Sequence, residues 1–145
     1  MNHYLPVPIM KIAKEYGFRV IEKQPRNDDI ACIVRDDNDK VVKFIYVNCT
    51  LSVPKKRFLI ALALAYYQLD AFTNEKYYKR ICLKDQPDIE IMKSAMYILL
   101  PDSLLKQILE KEIDVENHVK LWAEHLVVEP NVLQYRLYQI KKENL

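Results

Sequence analysis

The chain has 145 residues, half of them apolar and 29% charged, and its net charge is +2 with acids and bases interspersed. That fits one domain with an ordinary core, and it excludes a disordered chain, a fibrous chain and the strongly basic footprint of a dedicated nucleic-acid binder. A single glycine, Gly17, excludes glycine-rich phosphate loops and leaves the turns to Asn, Asp and Pro.

The opening "MNHYLPVPIM" has neither the basic start nor the long apolar run of a signal peptide. The longest apolar stretch, residues 58–69, falls short of the roughly 18 needed to span a bilayer. Cys32, Cys49 and Cys82 share no metal-like spacing and form no C-x-x-C pair. They read as reduced, partly buried thiols of a cytoplasmic protein.

In chain order, "VPIMKIAKEYG" places Ile9, Ile12, Ala13 and Tyr16 on one helical face, with Gly17 as the stop. "FRVIE" is a short alternating stretch. "IACIVRDDNDKVVKFIYVN" shows two β-rich runs around Asp36-Asp37-Asn38-Asp39, the pattern of a hairpin whose turn residues tolerate positive φ. From Pro54 the character becomes helical: a helix to Leu69, then a polar, tyrosine-rich link "NEKYYKR". Further helices are expected over about 88–100 and from a cap at Asp102 or Ser103 to about 111, and then in "VENHVKLWAEHLV" and, after Pro130, "NVLQYRLYQIKK". The expectation is one α+β domain over 1–145 with a small antiparallel sheet and five to six helices. Within it, 1–53 holds the first helix and the sheet, 54–112 the central helices, and 113–145 a closing helix pair.

The framing of the central helix, "VVKFIYVNCTLSVPKKRFLIALALAYYQLD", carries a resemblance. Asn48, Leu51, Ser52, Arg57, Phe58, Ala61, Leu64, Tyr67 and Leu69 match a pattern in which a strand ending in Asn leads into R-F-T-x-A-H-E-L-G-H-Y-x-L-H. Downstream, Glu90, Ala95, Leu99 and Pro101 match a second helix, with Ile98 a conservative variant. In the tail Leu121, Ala123, Val128, Val132, Arg136 and Leu137 match a closing pair, with Glu129 in place of a serine. Together these resemble the ImmA/IrrE family of zinc metallopeptidases, and the resemblance runs in order along nearly the whole chain. It implies a zincin-like fold.

In H-E-x-x-H two histidines one turn apart bind a single Zn²⁺, and the glutamate between them activates the bound water. The resemblance puts the histidines at Leu62 and Tyr66, the base at Ala63 and the third ligand at Glu90. An isobutyl group does not bind zinc, a phenol titrating near pH 10 is a poor ligand, and a methyl takes no proton. The site is therefore read as vacated, the protein as not an enzyme, with no cofactor and no metal. His118 and His125 do not rebuild it, because seven residues of helix separate them by about 10 Å.

The resemblance then implies work by binding. Members encoded in phages and mobile elements commonly act on helix-turn-helix repressors, so the expected partner is a protein of that kind or a similar regulator. An edge strand within 41–48 is the expected place for an added peptide. Tyr77, Tyr78 and Arg80 are candidate partner contacts, weighed against rings that merely pack over the neighbouring helix. The alternative is DNA binding by the tail pair, with Asn131, Gln134, Arg136 and Lys141 presented to the duplex. Reorganised enzyme chemistry and simple subunit pairing are further readings, and no membrane association is expected.

Overall fold

The computed structural model describes residues 3–24, 30–37, 40–70, 77–81 and 87–143, and of 30–37, 40–41, 70 and 77–81 the backbone alone. Helix α1 (Ile9–Glu15) buries Ile9 and Ala13, one turn apart. It stops at Gly17, whose φ is +87°. A Cβ there would meet only the Lys43 side chain at 3.7 Å, so backbone conformation rather than space calls for glycine.

Four strands follow: β1 (Phe18–Lys23), β2 (Ile30–Asp37), β3 (Lys40–Asn48) and, later in the chain, β4 (Tyr77–Ile81). The expected hairpin forms, with β2 antiparallel to β3 and Asp37 opposite Lys40; its turn, 38–39, lies outside the described residues. The sheet order is β1-β3-β2-β4. β1 runs parallel to β3, Phe18 opposite Lys43, so the sheet is mixed and not antiparallel as the sequence suggested. The cause is non-local: β3 returns from the hairpin into the place beside β1. Strand 41–48 is therefore central and not an edge, and the edges belong to β1 and β4. The tyrosine-rich link supplies β4, which pairs antiparallel with β2.

Helix α2 (Val53–Asp70) begins where the Ser52 hydroxyl accepts from the Lys55 amide at 3.4 Å, with Pro54 in the first turn. Every residue from Phe58 to Tyr66 is buried. A helix that is apolar all round belongs at the centre of a domain, and α2 packs against β2, β3, α1 and α3. On β3 the alternate residues Ile45 and Val47 are buried, while Phe44 and Tyr46 on the opposite face are half-buried and stack at 5.8 Å.

The rest is helical: α3 (Ile89–Leu99), α4 (Asp102–Lys111), a 3-10 turn (Val115–His118), α5 (Val119–Leu126) and α6 (Pro130–Glu143). The described residues thus hold six α-helices. Asp88 caps α3 by accepting from the Glu90 amide at 2.8 Å. Pro101, not Asp102 or Ser103, occupies the cap position of α4. Helix α5 ends at Val127, a β-branched residue at φ +55°, where a glycine is the usual choice.

Two arginines fasten these parts. Arg57 of α2 donates to the Val7 carbonyl at 2.8 Å and to the Val127 carbonyl at 3.0 Å, tying the N-terminal segment to the α5–α6 turn. Arg136 of α6 is fully buried. It donates to the Leu100 carbonyl at 2.9 Å, Asp102 at 2.6 Å and Gln139 at 3.0 Å, and its guanidinium lies 4.2 Å from the Tyr97 ring centre. An orphan carbonyl at the end of α3 is thereby satisfied.

Candidate functional site: the vacated metal positions

Leu62 and Ala63 are fully buried and Tyr66 is 8% exposed. They sit in the stretch of α2 that is enclosed on every side, so this part of the helix faces core rather than an open cleft. Glu90 differs from them in exposure. It is exposed in the first turn of α3, where a carboxylate is favoured by the helix dipole, and its side chain lies 3.6 Å from Lys93. Ser94 donates back to the Glu90 carbonyl at 3.0 Å.

The donor chemistry at these positions does not fit zinc. Two of the four residues are hydrocarbon, the third is a phenol, and the one carboxylate is directed to solvent beside a lysine. Among the described residues no three His, Cys, Asp or Glu side chains come together where they could share a metal ion. His125 uses Nε2 to donate to the Tyr4 carbonyl at 2.5 Å and lies against Trp122, whereas His3 and His118 are exposed. Cys49 is an exposed free thiol, which corrects the expectation of partial burial; Cys32 has only its backbone described, and Cys82 lies outside the described residues.

Two depressions flank α3. One, of about 610 Å³, is polar and takes in Glu90, Gln68, Lys93, Ser94, Tyr97 and Gln139. The other, of about 500 Å³, is largely apolar and is walled by Phe58, Met92, Met96, Val132 and Tyr135. Neither is lined by Leu62, Ala63 or Tyr66.

The tail residues proposed to read DNA are scattered. Arg136 is the one buried charged residue of the described core, and its guanidinium is spent on Leu100, Asp102 and Gln139. It is not available to a base edge, which removes the principal donor of that reading. The signal was present in the sequence: Arg136 falls within the helical stripe Val132, Leu133, Leu137 and Ile140, all of them buried. Lys141 is paired with Glu116, while Asn131 and Gln134 are exposed on different depressions. Of Tyr77, Tyr78 and Arg80, only the backbone is described, opposite Val34, Ile33 and Ala31 on the sheet edge.

Electrostatic perturbation gathers around the Arg136 cluster. The Tyr97 hydroxyl donates to Asp102, and that bond, with the Arg136 guanidinium, holds the Asp102 carboxyl below its usual range. The same hydrogen bond pushes the Tyr97 phenol up. Burial lowers Arg57, and burial followed by the charge of Glu112 raises Tyr4. These groups serve internal contacts. Strong perturbation can mark either a catalytic site or a structural ion pair, and here the geometry is that of the second.

Among the described residues no helix is long and apolar enough to cross a membrane. No curated protein is matched by the sequence. The family model of the IrrE N-terminal-like domain matches residues 13–138, spanning α1 to α6 and thus both helices that frame the metal positions. With the zincin-like order of small sheet, central helix and closing pair, this means that the chain belongs to the IrrE N-terminal-like domain family of metallopeptidase-like proteins.

Proposed function

We propose that this chain is a catalytically inactive member of its family and acts by stoichiometric binding to a protein, a transcriptional repressor or similar regulator. One observation carries the reading: the positions that would supply two zinc ligands and the general base are Leu62, Tyr66 and Ala63, enclosed in the core. Zinc hydrolysis needs ligands, a base and access to water at one point, and these positions offer none of the three. What remains of the family's capacity is the fold and its surface. Action on a regulator is what the resemblance implies, and a cytoplasmic setting is what the unpaired cysteines suggest.

Two measurements test it. Metal analysis of protein purified without chelator is expected to find zinc well below one equivalent, and tightly held stoichiometric zinc would overturn inactivity. Affinity capture of the tagged chain from its native host, after nuclease treatment, is expected to retain one protein in near-equal amount. Enrichment that vanishes with nuclease would instead favour nucleic acid.

A further inference from the structure

We infer that the apolar groove between α3 and the start of α6 is the docking surface, and that its occupant is an amphipathic helix of the partner bearing a lysine or arginine beside its apolar face. The inference rests on the binding function proposed above and gives that function a place.

The groove of about 500 Å³ has a floor of Phe58, Met92 and Met96, with Val132 and Tyr135 as its far wall. Its volume falls within the range of roughly 300–1,000 Å³ common for ligand sites. Ile89 forms the near rim and is 62% exposed, although it opens α3, where a polar side chain would be the cheaper choice. The spacing of Ile89, Met92 and Met96 makes one continuous stripe along the helix, and the thioethers let its floor adapt to a partner's side chains.

Every lining residue lies on α2, α3 or α6 or immediately before one of them, with Pro87 leading into α3 and Glu129 into α6. No edge-strand residue is among the described residues that line it. Main-chain pairing with an extended peptide is therefore not available here, and the matching mode is a helix laid into a groove with apolar residues at i, i+3 or i+4, and i+7.

Charge selects the occupant further. Glu129 lines the groove and is half-buried, yet its carboxylate has no hydrogen bond or ion pair among the described residues. No basic side chain is among the described residues that line the groove. The N-terminus of α6 and solvent share the charge of Glu129 while the groove is open, and a helix laid over it displaces that solvent, which favours an occupant that brings a cation. A lysine or arginine flanking the partner's apolar stripe supplies that cation, and an acidic flank would be repelled.

The test uses the full chain as target for displayed peptides of about 16 residues on an alanine-rich helical framework, with the apolar stripe and one flanking charge randomised. Selected peptides are expected to carry Lys or Arg at one register. They should bind Ile89→Asp at least about tenfold more weakly, a change of about 1.4 kcal/mol. Replacing the peptide's basic residue by Glu should cost about tenfold on the natural chain and be recovered on Glu129→Lys. Ile89 is exposed and Glu129 half-buried, and unchanged melting profiles establish that the variants fold. Selected peptides without charge preference, or indifferent to both variants, overturn the groove. A captured regulator is run on the same variants: weakened binding supports the groove, and undiminished binding overturns it while leaving the regulatory function standing. Capture of no protein at all overturns that function itself.

Discussion

Helices α2 and α6 invert the usual relation between side-chain chemistry and place. In α2, Phe58–Tyr66 contains no charged residue and all of it is core. In α6, which is rich in polar and charged residues, the buried stripe contains an arginine. Among the described residues the buried charge of this protein sits at the junction of α3, α4 and α6. A buried ion is tolerated where hydrogen bonds saturate it, and Arg136 has three side-chain or carbonyl acceptors and a ring against it.

The comparison is broken most forcefully by returning the general base. Ala63→Glu places a carboxylate at a fully enclosed position, and it should destabilise the chain by at least about 4 kcal/mol in urea unfolding. A loss under 1 kcal/mol would show that α2 is more open than its burial indicates.

From the other side, Arg136→Ala strands the Leu100 carbonyl and leaves Asp102 with one partner fewer. The expected loss is about 3 kcal/mol, at the low end for broken buried pairs because the Asp102 side chain is 27% exposed. Arg136→Lys should recover only part of it, since an ammonium cannot reproduce the fork. A neutral result would return the arginine to the surface and revive the DNA reading.

The pH dependence sharpens the same point. Asp102 is held below its ordinary value of 3.8, so it binds fewer protons in the native than in the unfolded state near that pH. Its contribution is complete above the unfolded value and is lost as pH falls through the lowered native value. Thermal melts of Asp102→Asn between neutral and acidic pH should therefore show a shallower acid decline than the natural chain. Parallel declines would remove Asp102 from the account.

The smallest effect belongs to the turn between α5 and α6. Val127→Asn relieves a β-branched residue at φ +55° while the backbone carbonyl stays in place for Arg57, and it should gain about 0.5 kcal/mol. A loss would mean that the half-buried valine side chain matters more than its backbone strain.

Much of the scaffold was legible from residue pattern. The β2–β3 hairpin, α2 and α6 depend on neighbours in the chain, and they appear within a residue of expectation, whereas the helix expected over 115–127 divides into a 3-10 turn (Val115–His118) and α5, which starts four residues later at Val119. The parallel placement of β1, the strand in the tyrosine-rich link and the central position of β3 were not legible, because strand neighbours are chosen by distant segments. Arg136 misled because its residue type pointed outward while its helical spacing pointed inward, and spacing won. The stripe of Ile89, Met92 and Met96 could be read as a helix face, but nothing in its pattern says that part of it stays uncovered.

The sequence by itself determined the side-chain chemistry of the central helix: Leu62, Ala63 and Tyr66 offer no imidazole or carboxylate to a metal. It also determined that the 58–66 stretch of α2 is enclosed, since an all-apolar stretch of helix has no face to give to water. Tertiary structure alone decided where the buried charge lies and which apolar stripe remains open. Those outcomes depend on partners brought from afar, Arg57 reaching across 70 residues to Val127 and Arg136 across 36 to Leu100. A side chain's type sets the cost of burying it, and only the assembled fold supplies the groups that offset that cost.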